Sequence, residues 1–176
     1  MRLLRCHIEN FGKLSDRSLE FEPGLNRILA PNGFGKTTLA AFIKAMLFGL
    51  PRTSSRDLSA NERKKYMPWQ GGPFGGFLEV GHEGAQYRVT RFFGKTAAKD
   101  TFELFDLSAR EKSARFSEKL GEELFHLDGE SFARSVYMPQ LSGLGVKATD
   151  SIRAKLGNLV EDTDDLNNYD TAVKRL

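Results

Sequence analysis

Residues Ala30-Pro31-Asn32-Gly33-Phe34-Gly35-Lys36-Thr37-Thr38 carry the chemistry that this chain most plainly offers. Glycines let a backbone curl until successive N–H groups converge on an anion, and a helix starting directly behind them adds the positive end of its dipole. A lysine closing such a run reaches β- and γ-phosphates as a point charge, and the next hydroxyl can ligate the Mg²⁺ that bridges them. Gly33, Gly35, Lys36 and Thr37 occupy those places. The spacing is that of Gly-x-x-x-x-Gly-Lys-[Ser/Thr], except that Ala30 stands in the first glycine position and puts a Cβ where the pattern has none. The chemistry would be binding of a nucleoside triphosphate with Mg²⁺. The alternative is an ordinary strand-to-helix turn, and Ala30 leaves nucleotide affinity an open expectation.

Such a loop needs a strand before it and a helix after it, and the sequence predicts both. Residues 25–29 are strand-like, while Leu39, Phe42, Ile43, Met46 and Leu47 recur at the spacing of one buried helix face that Gly49 and Pro51 terminate. Upstream, Leu4, Cys6 and Ile8 alternate with Arg5, His7 and Glu9 as in a half-buried strand. A turn at Asn10-Phe11-Gly12-Lys13, a second strand over 18–22 and a Pro23-Gly24 turn complete a compact N-terminal unit.

Downstream, residues 52–73 read as a long polar and basic loop with one helical turn near 58–64. Strands over 77–80 and 87–93 form a hairpin about His82-Glu83-Gly84, and a third follows over 101–107. Short connections suggest an antiparallel sheet distinct from the sheet that carries the phosphate loop. Leu120, Leu124 and Leu127 are helically spaced, Asp128 caps a turn into Phe132, and residues 135–138 read as a strand running into Pro139-Gln140. Ile152, Leu156, Leu159 and Val160 share a helix face. Leu166, Tyr169, Val173 and Leu176 then begin either a heptad seam or a terminal amphipathic helix.

The 176 residues, 40% apolar and 28% charged, suffice for one globular domain or two small lobes. No apolar run is long enough to span a bilayer, and Arg5, His7 and Glu9 break any signal-like opening, so the expected compartment is cytoplasmic, with no membrane partner. Cys6 alone excludes an internal disulfide and fits a buried inert thiol. His7, His82 and His126 lack metal-ligand spacing. A net charge of +3 is compatible with a nucleic-acid partner without arguing for one.

Taken together, four features in this order resemble the N-terminal lobe of the SMC/RecF/RecN/SbcC branch of ABC-type ATPase heads, and most closely the bacterial SbcC-like large coiled-coil ATPases. They are Leu4-x-x-x-Ile8-x-Asn10-Phe11-Gly12, the run from Pro31 to Thr38, the helix over 39–48, and Phe132-x-Arg134-Ser135-Val136-x-Met138-x-Gln140, which is similar to the approach to a Q-loop. The resemblance implies an α/β P-loop NTPase fold, an ABC-type head lobe with a mixed sheet, an antiparallel β subdomain and the start of a coiled coil. It divides the chain into an ATPase lobe over 1–147 and a helical segment over 148–176 that leads toward the coiled coil.

It further implies that Lys36 binds the β/γ-phosphates and Thr37 binds Mg²⁺, with Asn32, Gly33, Phe34, Gly35 and Thr38 along the phosphates. Gln140 would reach Mg²⁺ or the lytic water. Lys13 is a further phosphate candidate, beside the alternative of a solvated turn lysine. ATP and Mg²⁺ would be the cofactors. The implied partners are a C-terminal lobe of the same protein supplying the Asp-Glu pair, a second head by ATP-dependent homodimerisation, DNA, and a nuclease subunit. The chain alone should then not turn over ATP.

Two readings compete with this one. In the first, Asp106 ends the run 102–106 as the Mg²⁺-binding carboxylate of a self-contained P-loop NTPase. In the second, the chain is a non-catalytic nucleotide-sensing interaction module. Leu141-Ser142-Gly143-Leu144-Gly145 superficially resembles the family's signature motif but directly follows Gln140, so it reads as a Gly-rich loop. Arg63, Lys64, Lys65, Tyr66 and Trp69 interleave cations and aromatics, either as a contact for a nucleic-acid backbone or as a solvated lid.

Overall fold

The computed structural model describes residues 1–52, 55–58 and 61–137. The chain divides into two units, residues 1–124 and 125–176. The first is built on one six-stranded sheet, ordered β2-β1-β3-β4-β5-β6, in which every neighbouring pair is antiparallel. Its strands are β1 (Arg2–Phe11), β2 (Leu14–Glu20), β3 (Gly75–His82), β4 (Ala85–Phe92), β5 (Thr101–Asp106) and β6 (Glu111–Lys112). The helices are α1 (Lys36–Phe48), α2 (Glu62–Tyr66), α3 (Leu120–Phe125) and α4 (Gly129–Ser135). Among the described residues no helix is long and apolar enough to cross a membrane.

Alternation decides which face of the sheet is buried. Cys6 and Ile8 of β1, Leu78 and Val80 of β3, Tyr87 and Val89 of β4 and Leu104 of β5 are buried side by side in register. Helix α1 contributes Leu39, Phe42, Ala45 and Met46 to the core. Gly49 ends it with φ 75°, its amide donating to the Ala45 carbonyl at 2.8 Å, and buried Arg91 donates through Nε to the Met46 carbonyl at 2.8 Å. A cation there complements the negative end of the helix dipole. Burial pulls the Arg91 guanidinium down to about 10, which leaves it charged at neutral pH over the face of Phe102.

Phe11 is the aromatic hub. Its ring lies 4.9 Å from Tyr66, 5.4 Å from Phe74, 5.5 Å from Phe42 and 6.3 Å from Phe93, centroid to centroid. One residue of β1 thereby ties α1, α2 and the flanks of β3 and β4 together.

Three expectations need correction. The N-terminal strands and the 75–106 strands form a single antiparallel sheet among the described residues, because β1 pairs along its length with β3, some seventy positions later. The mixed sheet with a separate antiparallel subdomain is therefore not seen there. Residues 25–29 form no strand, and Leu25 is 95% and Leu29 77% exposed. In the second unit, Asp128 accepts from the Ser131 amide at 2.7 Å and caps α4, so helix continues through Ser135 where a strand was expected to begin. Met138, Gln140, the boundary at 147, the 148–176 segment and its heptad seam lie outside the described residues.

Candidate nucleotide-binding site

The loop over 30–38, the candidate phosphate loop, is shaped by two glycines in left-handed backbone conformations. Gly33 has φ 83° and Gly35, at the N-cap of α1, has φ 111°. A Cβ on Gly35 would stand 2.9 Å from Leu14 Cδ2 and 3.2 Å from Lys13 Cε, so the β1–β2 turn closes on the loop as tightly as a missing side chain allows. Ala30 is not among the residues of positive φ, which means its Cβ adds no backbone strain to the loop.

The start of α1 is electrostatically prepared for an anion. Its first turn carries no acidic residue and Gly35 offers no side chain to cap it. The amides of Lys36, Thr37 and Thr38 precede the first intrahelical bond, from the Leu39 amide to the Gly35 carbonyl at 2.8 Å. The Lys36 ammonium arches back over the loop and donates to the Ala30 carbonyl at 2.7 Å and the Pro31 carbonyl at 3.0 Å. Lys13 enters from the neighbouring turn, its Nζ 3.9 Å from where a Cβ of Gly33 would stand. Two cations, two curled glycines and unpartnered helix amides at one exposed loop fit the donor set that a triphosphate requires. Asn32, Phe34 and Thr37 are exposed along the same loop, with the Phe34 amide donating to the Pro31 carbonyl at 3.2 Å. Thr38 is half-buried, with its methyl group toward Gly12.

A second layer holds that turn in place. Gly12, at φ 58°, donates to the Tyr66 carbonyl at 2.6 Å, and a Cβ there would stand 3.1 Å from Thr38 Cγ2. The Asn10 side chain donates to the Pro73 carbonyl at 3.0 Å and accepts from Ser15 at 2.8 Å and Gln70 at 3.2 Å. The long loop is thus fastened at the Asn10-Phe11-Gly12 turn, beside the phosphate loop. Sequence reasoning used that triplet as a family marker without seeing its role, although an amide side chain opening a tight glycine turn was the available signal.

Not every sequence-derived candidate converges here. Asp106 shares a cross-strand row with Tyr87, Val80 and Leu3, whereas the phosphate loop meets the Phe11 end of β1, eight residues and roughly 25 Å along the strand. Its carboxylate accepts from the Ser108 and Ala109 amides at 2.8 and 2.9 Å, making it a turn former and overturning the self-contained reading built on it. Arg63 is also corrected as a nucleic-acid contact. It is buried and bidentate to Asp100, with both N–O distances 2.7 Å. Gln140 lies outside the described residues.

The family described as AAA domain matches residues 5–175. The chain is 31% identical over 145 residues to the uncharacterized protein YhaN of Bacillus subtilis (strain 168), covering 82% of the chain and 13% of that protein. It is 30% identical over 104 residues to the DNA double-strand break repair Rad50 ATPase of Sulfolobus acidocaldarius, covering 59% of the chain and 11% of the relative. With the chromosome partition protein Smc of Methanocaldococcus jannaschii it shares 32% identity over 78 residues, 44% of the chain and 6% of the relative. The chain therefore spans 13% or less of the length of these relatives.

Proposed function

This chain belongs to the AAA domain family, as an N-terminal region of the SMC/RecF/Rad50-type ABC ATPases, and from that premise we propose that it is the ATP-binding half of such an ATPase. The observation that carries the reading is the convergence of Lys36, Lys13, Gly33 and Gly35 at an acid-free helix start.

In this reading the α1 amides and both ammonium groups hold the phosphates, and the Thr37 hydroxyl with Gln140 holds Mg²⁺. When bound, Mg²⁺ would neutralise phosphate charge. Lys36 exchanges the Ala30 and Pro31 carbonyls for phosphate oxygens, so its acceptors in the loop become anionic and its hydrogen bonds strengthen. The chain by itself would bind without turning over, the general base coming from elsewhere in the complete protein. The Asp-Glu pair would come from a C-terminal lobe, and the exposed Leu25 and Leu29, in a segment with no strand pairing among the described residues, support a partner lobe there. ATP would join two such heads and hydrolysis release them, acting on DNA in repair or chromosome processing, with a nuclease subunit as a further partner and the cytoplasm as the compartment.

Titration with a fluorescent ATP analogue and Mg²⁺ tests this directly. Saturable binding that Lys36→Ala abolishes, with no steady turnover by the chain alone, is the expected result. Binding indifferent to Lys36→Ala would remove the proposal, and turnover by the isolated chain would remove the half-site reading.

A further inference from the structure

Trp69 is the one tryptophan of the chain, and it is 91% exposed. Tryptophan is among the most buried residue types on average, so an indole held in water forgoes the gain that its burial would bring. It sits at the tip of a turn that the Gly71 amide closes on the Pro68 carbonyl at 3.4 Å.

That turn is fastened on both sides to the hairpin turn that delivers Lys13. On the N-terminal side the Tyr66 carbonyl accepts from the Gly12 amide at 2.6 Å. On the C-terminal side the Gln70 amide group donates to Asn10 at 3.2 Å, and Asn10 donates to the Pro73 carbonyl at 3.0 Å. Gly72, at φ 87°, lets this side close, since a Cβ there would stand 3.0 Å from Asn10 Nδ2. Gly12 packs in turn against Thr38, two positions beyond Lys36. Three residues take the chain from Tyr66 to Trp69, a span of at most about 11 Å. The indole is therefore held beside the loop over 30–38 by a strap anchored at both ends, with its faces open to solvent.

The geometry points to Trp69 as the stacking platform for the base of the bound nucleotide. The inference rests on the reading of residues 30–38 as an ATP site and adds what receives the other end of the ligand. Lys36, Lys13 and the α1 amides recognise phosphate, which every nucleotide carries, so they give no preference among nucleotides. An indole face stacks on any base and favours the larger purine ring, so the preference for a nucleoside over bare polyphosphate, and for purine over pyrimidine, resides in the 66–73 strap. Because the strap is anchored before the ligand arrives, little ordering cost is set against the stacking.

The test uses the emission of Trp69 itself, which no other tryptophan obscures. Titration of the chain with ATP and Mg²⁺ should quench the indole saturably, and Lys36→Ala should abolish that quenching. Tripolyphosphate with Mg²⁺ has the phosphates without the base, so calorimetry should find it bound while the emission stays unchanged. Trp69→Ala should weaken ATP about tenfold and leave tripolyphosphate affinity unaltered, which also reports that the variant is folded. Trp69→Phe, which keeps a ring, should recover most of the loss. Lys36-dependent ATP binding with unchanged emission, or equal losses for ATP and tripolyphosphate in Trp69→Ala, overturns the platform while the nucleotide reading stands. Quenching that rises linearly with ATP and persists in Lys36→Ala is collisional and overturns it as well. Quenching by a single-stranded oligonucleotide without a triphosphate, and none by ATP, assigns the indole to nucleic acid and overturns the proposal. Absence of Lys36-dependent ATP binding removes both the platform and the reading it rests on.

Discussion

The ammonium of Lys13 stands over Gly33, 3.9 Å from the position a Cβ would take on that glycine. The two residues are twenty positions apart, in a hairpin turn and in a loop that shares no strand with it. The turn is itself held by the Gly12–Tyr66 hydrogen bond and by the methyl of Thr38, so Lys13 is delivered to the phosphate loop by a rigid element.

Lys13→Ala should therefore weaken ATP-analogue binding severalfold, short of the loss expected for Lys36→Ala, because one exposed charge–phosphate contact is removed and the helix amides remain. The loss should shrink as KCl is raised. Gly33→Ala should be worse than its size suggests, since alanine resists φ 83°. Equal affinity for Lys13→Ala at low salt would show that the lysine is only a solvated turn residue.

Arg63→Ala should be the most damaging change in the 52–73 loop. It removes a bidentate partner from Asp100 and the donor to the Gly94 carbonyl, in a pair whose arginine is 9% and carboxylate 25% exposed. Leaving a part-buried carboxylate uncompensated costs about 2–3 kcal/mol, with some of the penalty relieved by water. Lys64→Ala and Lys65→Ala, both exposed, should stay within about 0.5 kcal/mol. Urea denaturation midpoints at constant m-value separate these outcomes, and a neutral Arg63→Ala would mean the clamp does not form in solution.

Cys6 makes stability pH-dependent at the alkaline end. Burial pushes its thiol from 9.0 up to about 11, only partly offset by a hydrogen bond with the Leu19 backbone. The unfolded chain releases that proton first, so stability is fully present below pH 9 and is lost as pH rises from about 9 to 11, by about 2–3 kcal/mol in all. Arg91, drawn down to about 10, titrates in the same range with the opposite sign, since its deprotonation relieves a buried charge. The difference between the protein and Cys6→Ala isolates the thiol: thermal midpoints at pH 8 and 10.5 should fall more for the protein. The native thiol should also resist disulfide reagents until denaturant is added.

Local pattern made the glycine turn at 33–35, α1 and the β3–β4 hairpin legible, because each is specified by residues a few positions apart. The single sheet was not, since β1–β3 pairing joins Cys6 to Leu78 and alternation says nothing of which strand a face will meet. Arg63 was misread because a basic run looks solvated until its distant carboxylate, Asp100, is placed beside it. The strand expected over 135–138 does not begin at Ser135, because the Asp128 cap starts a helix that runs through that residue. Lys13 was legible as a candidate only through family resemblance, and its approach to Gly33 depends on the fold of the turn.

The segment 25–29 offers the last prediction. Its strand-like sequence is irregular and exposed, with Leu25 and Leu29 in solvent and no sheet neighbour among the described residues. A segment of this composition leading into a phosphate loop leaves its ladder groups to water unless a neighbour supplies a strand. Amide hydrogen exchange should find residues 25–29 unprotected in this chain, while the amides of Cys6 and Ile8, at the sheet centre, exchange orders of magnitude more slowly. Adding the C-terminal lobe should protect 25–29 and leave the β1 amides unchanged. Leu25→Lys with Leu29→Lys should prevent that protection without lowering the midpoint of the chain alone, because neither side chain is buried in it. Protection of 25–29 already present in the chain by itself would place their partner within these residues and remove the need for a second lobe at this edge.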